Sequence, residues 1–206
     1  QELADMEYGP GPHDSAEVAK LKSDILKVRN EITALKSAQG RLANFYNALG
    51  EEYRRLGMFA PALEAYQKSL EITGGNHAVL YKAAIMAGQL YKLEPDPAKA
   101  ESLLAMAEKY YENSIRLGDD YEDALYALAV LKYFERNDRE SARDLVGRAL
   151  AKYPNFTQAL FLAARIAVED GALGRAREYY QRIVDNAQNE TDIITAKANL
   201  EELKNR

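Results

Sequence analysis

His13 and His77 are the two histidines of the 206-residue chain, and there is no cysteine. His13 follows a Gly-Pro-Gly-Pro run and His77 opens a helical pattern. Neither has a Ser or Asp at a spacing that builds a nucleophile–base pair. The absence of cysteine removes thiolate metal ligands and disulfides, and no glycine-rich phosphate loop is present. The acidic run Asp119, Asp120, Glu122, Asp123 lacks the ligand spacing of a calcium loop. It falls where one helical pattern ends and the next begins, so it is expected to cap the second helix. Glu51 and Glu52 are neighbours on a helical pattern and point to different sides, which excludes an acid–base pair. No catalytic residue, metal or cofactor is therefore expected, and the chain reads as a non-enzyme.

The elements that hold these residues are helical throughout. Hydrophobic residues make up 47% of the chain, enough for a core, and 29% is charged, which keeps it soluble. Leu, Ala, Glu, Lys and Arg dominate, and no convincing stretch alternates as a strand would. A net charge of −5 argues against a nucleic-acid partner, and no apolar run is long enough for a transmembrane segment. The chain begins with Gln1 rather than Met, so targeting is not read from its start, and a periplasmic or cell-envelope and a cytoplasmic setting both stay open. Residues 1–14 hold two Gly-Pro pairs and read as a flexible tether.

From Ala43 a pattern recurs. With Ala43 as position 1, Tyr46, Leu49, Gly50, Tyr53, Gly57, Ala62 and Tyr66 occupy positions 4, 7, 8, 11, 15, 20 and 24. Counting from Asp123, those positions hold Tyr126, Ala129, Val130, Tyr133, Asn137, Ala142 and Val146, with Pro154 at 32. Counting from Thr157, they hold Leu160, Ala163, Ala164, Ala167, Gly171, Ala176 and Tyr180. Small residues at 8 and 20 let two helices approach, and large residues at 4, 11 and 24 fill the space beside them. Gly or Asn at 15 permits the turn, and Pro at 32 stops the second helix. This spacing resembles the tetratricopeptide repeat. The resemblance implies an all-α, right-handed α-solenoid of helix-turn-helix units at about 43–76, 77–122, 123–156 and 157–188.

The second unit carries about eleven extra residues around LYKLEPDPAK. Its first helix is expected to run to Leu93 and its second to start behind Asp96 with Pro97 at the first turn. The insertion is either a tolerated lengthening or a partner contact. Residues 189–206, with Ile193, Ala196, Leu200 and Leu203 on one stripe, read as a capping helix.

Upstream, residues 15–42 place Val18, Ile25 and Ile32 at heptad position a, and Leu21, Val28 and Leu35 at d. Position g holds Glu17, Asp24 and Glu31, and position e holds Lys22, Arg29 and Lys36. Between parallel helices each g residue meets an opposite charge at e, five positions on. Two readings stay open: a coiled coil making a homo-oligomer, dimer or trimer, and an intramolecular cap on the solenoid. Gly40 is a point of expected weakness. A coiled coil leading into such repeats resembles, in architecture alone, the bacterial periplasmic cell-division coordinator family.

The resemblance also implies that recognition occurs on the concave face, at positions 2, 5, 9 and 12. The residues expected there include Asn47, Glu51, Arg54, Tyr81, Ile85, Leu131, Phe134, Phe161, Arg165 and Val168. Adaptor members of the family clamp a C-terminal carboxylate with Lys, Arg and Asn. The third unit offers Ala127, Leu128 and Leu131 instead, so an apolar groove is expected, open or covered by the chain's own helices. The function implied is a non-catalytic scaffold or adaptor with a protein or peptide partner. The alternatives are a structural oligomerisation module of a bacterial cell-envelope assembly, and a small-molecule binder near Tyr81 and Phe134.

Overall fold

A computed structural model describes residues 16–204; the proposed tether, with His13, lies outside the described residues. Among the described residues the elements are helices alone: α1 (Ala16–Arg55), α2 (Phe59–Thr73), α3 (His77–Leu93), α4 (Pro97–Leu117), α5 (Glu122–Phe134), α6 (Arg139–Lys152), α7 (Thr157–Glu169), α8 (Leu173–Asn186) and α9 (Glu190–Lys204). Each helix packs on the next, in the pairs α1–α2, α3–α4, α5–α6 and α7–α8, with α9 against α8. This is an α-solenoid.

The turns explain the pairing. Gly57, Asn137 and Gly171 share position 15 of their units, and all three have left-handed backbone, φ 73°, 52° and 73°. Such a residue reverses the chain within a few residues; Gly adopts it freely, and Asn or Asp more readily than other side chains. The second unit has Tyr91 at that position, and its helix runs on. It stops where two prolines force the residues before them out of the helical region: Glu94 has ψ 117° and Asp96 ψ 116°. Asp96 then caps α4 by accepting from the backbone N–H groups of Ala98 and Lys99. The inserted residues thus lengthen α3 and α4 to 17 and 21 residues. The extension is tied down: Arg136 bonds Glu101 at 2.8 Å and Glu108 at 2.7 Å, and Tyr91 donates to Glu135.

Within each pair the close approach is made by small residues. Ala62, Ala84, Ala107, Ala142, Ala164 and Ala176 are fully buried. At Gly50 an added Cβ would lie 2.6 Å from the Tyr66 ring. Ser69 donates to the carbonyl of Ala43 at 2.9 Å, and Ser114 repeats this bond one unit later on the carbonyl of His77 at 2.7 Å. The main core runs from α2 to α7, and a second cluster joins α7, α8 and α9 through Leu160, Tyr180, Ile183, Ala196 and Leu203.

Two expectations change. The acidic run does not cap α5 with a side chain. Tyr121 holds the N-cap position, and Asp119 and Asp120 take left-handed backbone and pair with Lys152 and Arg148 of α6. Glu122 and Asp123 instead fill the first turn of α5, where the helix dipole favours them. At the other end, α1 passes unbroken through Gly40 as one helix about 60 Å long. Residues 23–42 are exposed on every side, so the helix does not fold back as a cap.

Candidate functional site

The concave face divides into three parts. Its N-terminal part is polar. Asn47, Glu51 and Arg54 of α1 meet Lys82 of α3: Lys82 reaches Glu51 at 2.7 Å and Asn47 at 3.3 Å, and Arg54 donates to Glu51 at 2.9 Å. Partial burial pushes the Glu51 carboxyl up, but the bonds from Lys82 and Arg54 outweigh it and leave the group below its usual range. Beneath lies Tyr66, whose buried hydroxyl finds no well-placed partner; burial first, and the Glu51 carboxylate second, push its ionisation up.

The middle part is aromatic and half-closed. Tyr81 packs edge-on against Tyr121, 5.4 Å between centroids, and lies 6.0 Å from Tyr111; His77 also packs edge-on against Tyr121, at 5.3 Å. Ile85 is half-buried beside them. Leu131 is 7% exposed: it belongs to the core, and its edge lines a small hollow between α3 and α5 with Ile85, Gly88 and Ala127. Val130 lines this hollow as well as the C-terminal cleft, where Phe134 joins it.

The C-terminal part is a cleft of about 760 Å³ between α5, α7 and the α8–α9 pair. Val130, Phe134, Phe161 and Val168 give it an apolar floor, and Phe134 is 53% exposed. Gln158, Arg165, Glu169 and Asn199 make a polar rim. Arg165 is fixed by its neighbours. Its guanidinium lies 5.1 Å from the Phe134 centroid and 5.7 Å from that of Tyr133. Its Nε donates to the Tyr133 hydroxyl at 3.2 Å, and that hydroxyl donates to Glu169. Glu169 is also held by Arg139 at 3.3 Å. Burial and the Glu169 carboxylate push the Tyr133 phenol up, so it stays a neutral donor.

Phe134, Phe161, Arg165 and Val168 are therefore brought to one cleft, while Asn47, Glu51 and Arg54 form a separate polar surface. Sequence spacing missed Tyr126 and Val130, which it assigned to packing positions, and the α9 wall of Asn199, Glu202 and Leu203. The stripe on α9 identified its packing face but carried no signal of which groove its edge would line. The six heptad residues of α1, Val18, Leu21, Ile25, Val28, Ile32 and Leu35, are all exposed in the single chain.

A tetratricopeptide-repeat family model matches residues 133–200. A TPR repeat-containing protein of Borreliella burgdorferi is 23% identical over 188 residues, which is 91% of this chain and 81% of that protein. Among solved structures, a tetratricopeptide repeat protein of Parabacteroides merdae superposes with a TM-score of 0.66 at 15% identity. The match covers 80% of this chain and 61% of that one. YrrB, described as a TPR protein with an unusual peptide-binding site, gives 0.58 at 15% identity, covering 86% and 89%. Pseudomonas aeruginosa pilF gives 0.64 at 16%, covering 82% and 71%.

Proposed function

Because the chain is a tetratricopeptide-repeat protein, we propose that it is a non-catalytic scaffold that holds a peptide or amphipathic helix in the C-terminal cleft and self-associates through α1. The cleft is the observation that carries the binding reading. An exposed apolar floor with a polar rim suits a ligand that inserts apolar anchors and leaves its polar face wet. Arg165, pinned over Phe134 by Tyr133 and Glu169, loses little freedom when it bonds a ligand carbonyl or carboxylate. A trough shared by four helices fits an elongated ligand better than a small molecule. The peptide-binding site described for YrrB, a protein of the same fold, agrees with this use of the solenoid. Self-association rests on the exposed heptad stripe of α1.

The test is a displayed-peptide selection on the wild-type chain, with Phe134→Glu/Phe161→Glu as the counter-target. Both side chains face the cleft, so circular dichroism is expected to be unchanged. Peptides with apolar residues three or four apart that bind wild type and lose at least about tenfold on the variant support the reading. Selected peptides that bind both proteins equally refute it.

The rival reading, a structural oligomerisation module, draws on α1 alone. It predicts that cleft substitutions are silent while α1 substitutions abolish assembly.

A further inference from the structure

We infer that the partner of α1 is a second copy of this chain, parallel and two-stranded, and that its contact does not end with the heptad stalk. It shifts onto the open edge of the first repeat, over Leu42, Phe45, Leu49 and Leu56. The inference rests on the self-association reading and deepens it.

Orientation follows from charge. The g positions 17, 24 and 31 are acidic, and the e positions 22, 29 and 36 are basic. Parallel helices set g against e and pair opposite signs. Antiparallel helices set g against g and e against e, placing Glu and Asp against each other and Lys and Arg against each other. The intrahelical bond of Asp24 to Lys27, exposed and 3.3 Å long, is weak enough to exchange for such a pair. The β-branched residues at a, with Leu at two of the three d positions, favour two strands.

The shift follows from burial. At the next two e positions, Ala43 is 1% exposed and Gly50 lies under the Tyr66 ring. Helix α2 has taken that flank, and a second helix cannot stay on it. The d row nonetheless continues unbroken through Leu35, Leu42, Leu49 and Leu56, all exposed. On its far side, g turns from Glu31 to Ala38 and then Phe45, which is 70% exposed, the most of any large apolar side chain among the described residues. Beside Leu42 and Leu49 the flanking charges thus give way to Ala38 and Phe45 on the side that α2 leaves open, and charge returns one turn later at Glu52, which is held within the helix by Arg55 at 2.5 Å. One continuous surface remains, leaving the a/d seam for the d/g side near Gly40. A second copy, carrying the same break at the same height, matches it along its whole length, whereas a straight foreign helix matches only the stalk.

The chain lacks cysteine, so single thiols report contacts cleanly. Full-length Leu35→Cys, Leu49→Cys and Lys27→Cys would be oxidised at low micromolar concentration, with mass measured by light scattering. Expected are a dimer, rapid disulfide formation at 35 and 49, and none at 27, which lies off the seam. Phe45→Glu is expected to raise the dimer dissociation constant at least about tenfold without changing the helicity of the monomer. A monomeric wild type refutes self-association itself. A dimer that cross-links at 35 but not at 49, and ignores Phe45→Glu, keeps self-association and refutes the edge contact. A trimer refutes the parallel pair. So does an equimolar mixture of Leu21→Cys and Leu35→Cys that cross-links only between the two variants, while neither variant cross-links to itself.

Discussion

The two halves of α1 share one helix and one heptad phase, yet they live in different environments. From Ala16 to Leu42 it is exposed on nearly every side; from Ala43 to Arg55 one flank is buried against α2. The d residues barely register the change, since Leu35 and Leu49 are both exposed. The e residues register it completely, passing from Lys22, Arg29 and Lys36 to Ala43 and Gly50. An apolar stripe therefore does not say what covers it. The flanking residues do, because a flank that meets a close helix must be small and one that meets water or an opposite charge must be charged.

The largest break in this comparison is Tyr66→Ala. The ring is 0% exposed and fills the space over Gly50, so its removal is expected to cost about 3–5 kcal/mol in urea unfolding. Leu35→Ala on the exposed half is expected to change monomer stability by less than about 0.5 kcal/mol. Next come the two glycines of the helix. Gly50→Ala forces a methyl into the Tyr66 ring and is expected to destabilise by about 1–3 kcal/mol. Gly40→Ala meets nothing within 4 Å and is expected to stabilise the helix by about 0.5–1 kcal/mol. If thermal melts move both variants the same way, the contrast between the halves is wrong.

The smallest effect at neutral pH appears only in alkali. Burial raises the ionisation of Tyr66, Tyr81, Tyr111, Tyr121 and Tyr126 in the solenoid, whereas residues 16–42 contain no tyrosine. A folded-state pKa above the unfolded one contributes stability that is complete below the ordinary tyrosine value, near 10, and lost as pH rises past it. Raising pH from 9 to 11 is expected to lower the solenoid's unfolding midpoint while leaving the local helicity of residues 16–42 largely unchanged, read by hydrogen exchange. An equal loss in both halves would remove the distinction.

Much of the fold is legible because repeat spacing is a packing rule. Position 15 reads as Gly, Asn, Gly, and the chain turns through left-handed backbone at each; the second unit lacks such a residue and its helix runs on to the prolines. Part of the cleft lining is legible for the same reason, since Phe134, Phe161, Arg165 and Val168 sit at groove offsets of regular units. Val130, a packing position of its unit, also reaches the cleft, and Leu131, a groove position, is largely buried; neighbouring helices set how far each side chain is covered, which spacing along one helix does not encode. The acidic run fails as a cap for a similar reason: α6 presents Arg148 and Lys152 to it, and those partners are distant in sequence.

By itself, the sequence determined the helical solenoid, the turn positions and the charge pattern of residues 17–36, since each depends on residues within a few turns of one another. Only the tertiary structure decided that α1 continues through Gly40 with residues 23–42 exposed, that α2 claims the e flank from Ala43 onward, and that α9 walls the cleft. Those facts depend on which helix arrives beside which, and small rotations accumulated over many residues set that.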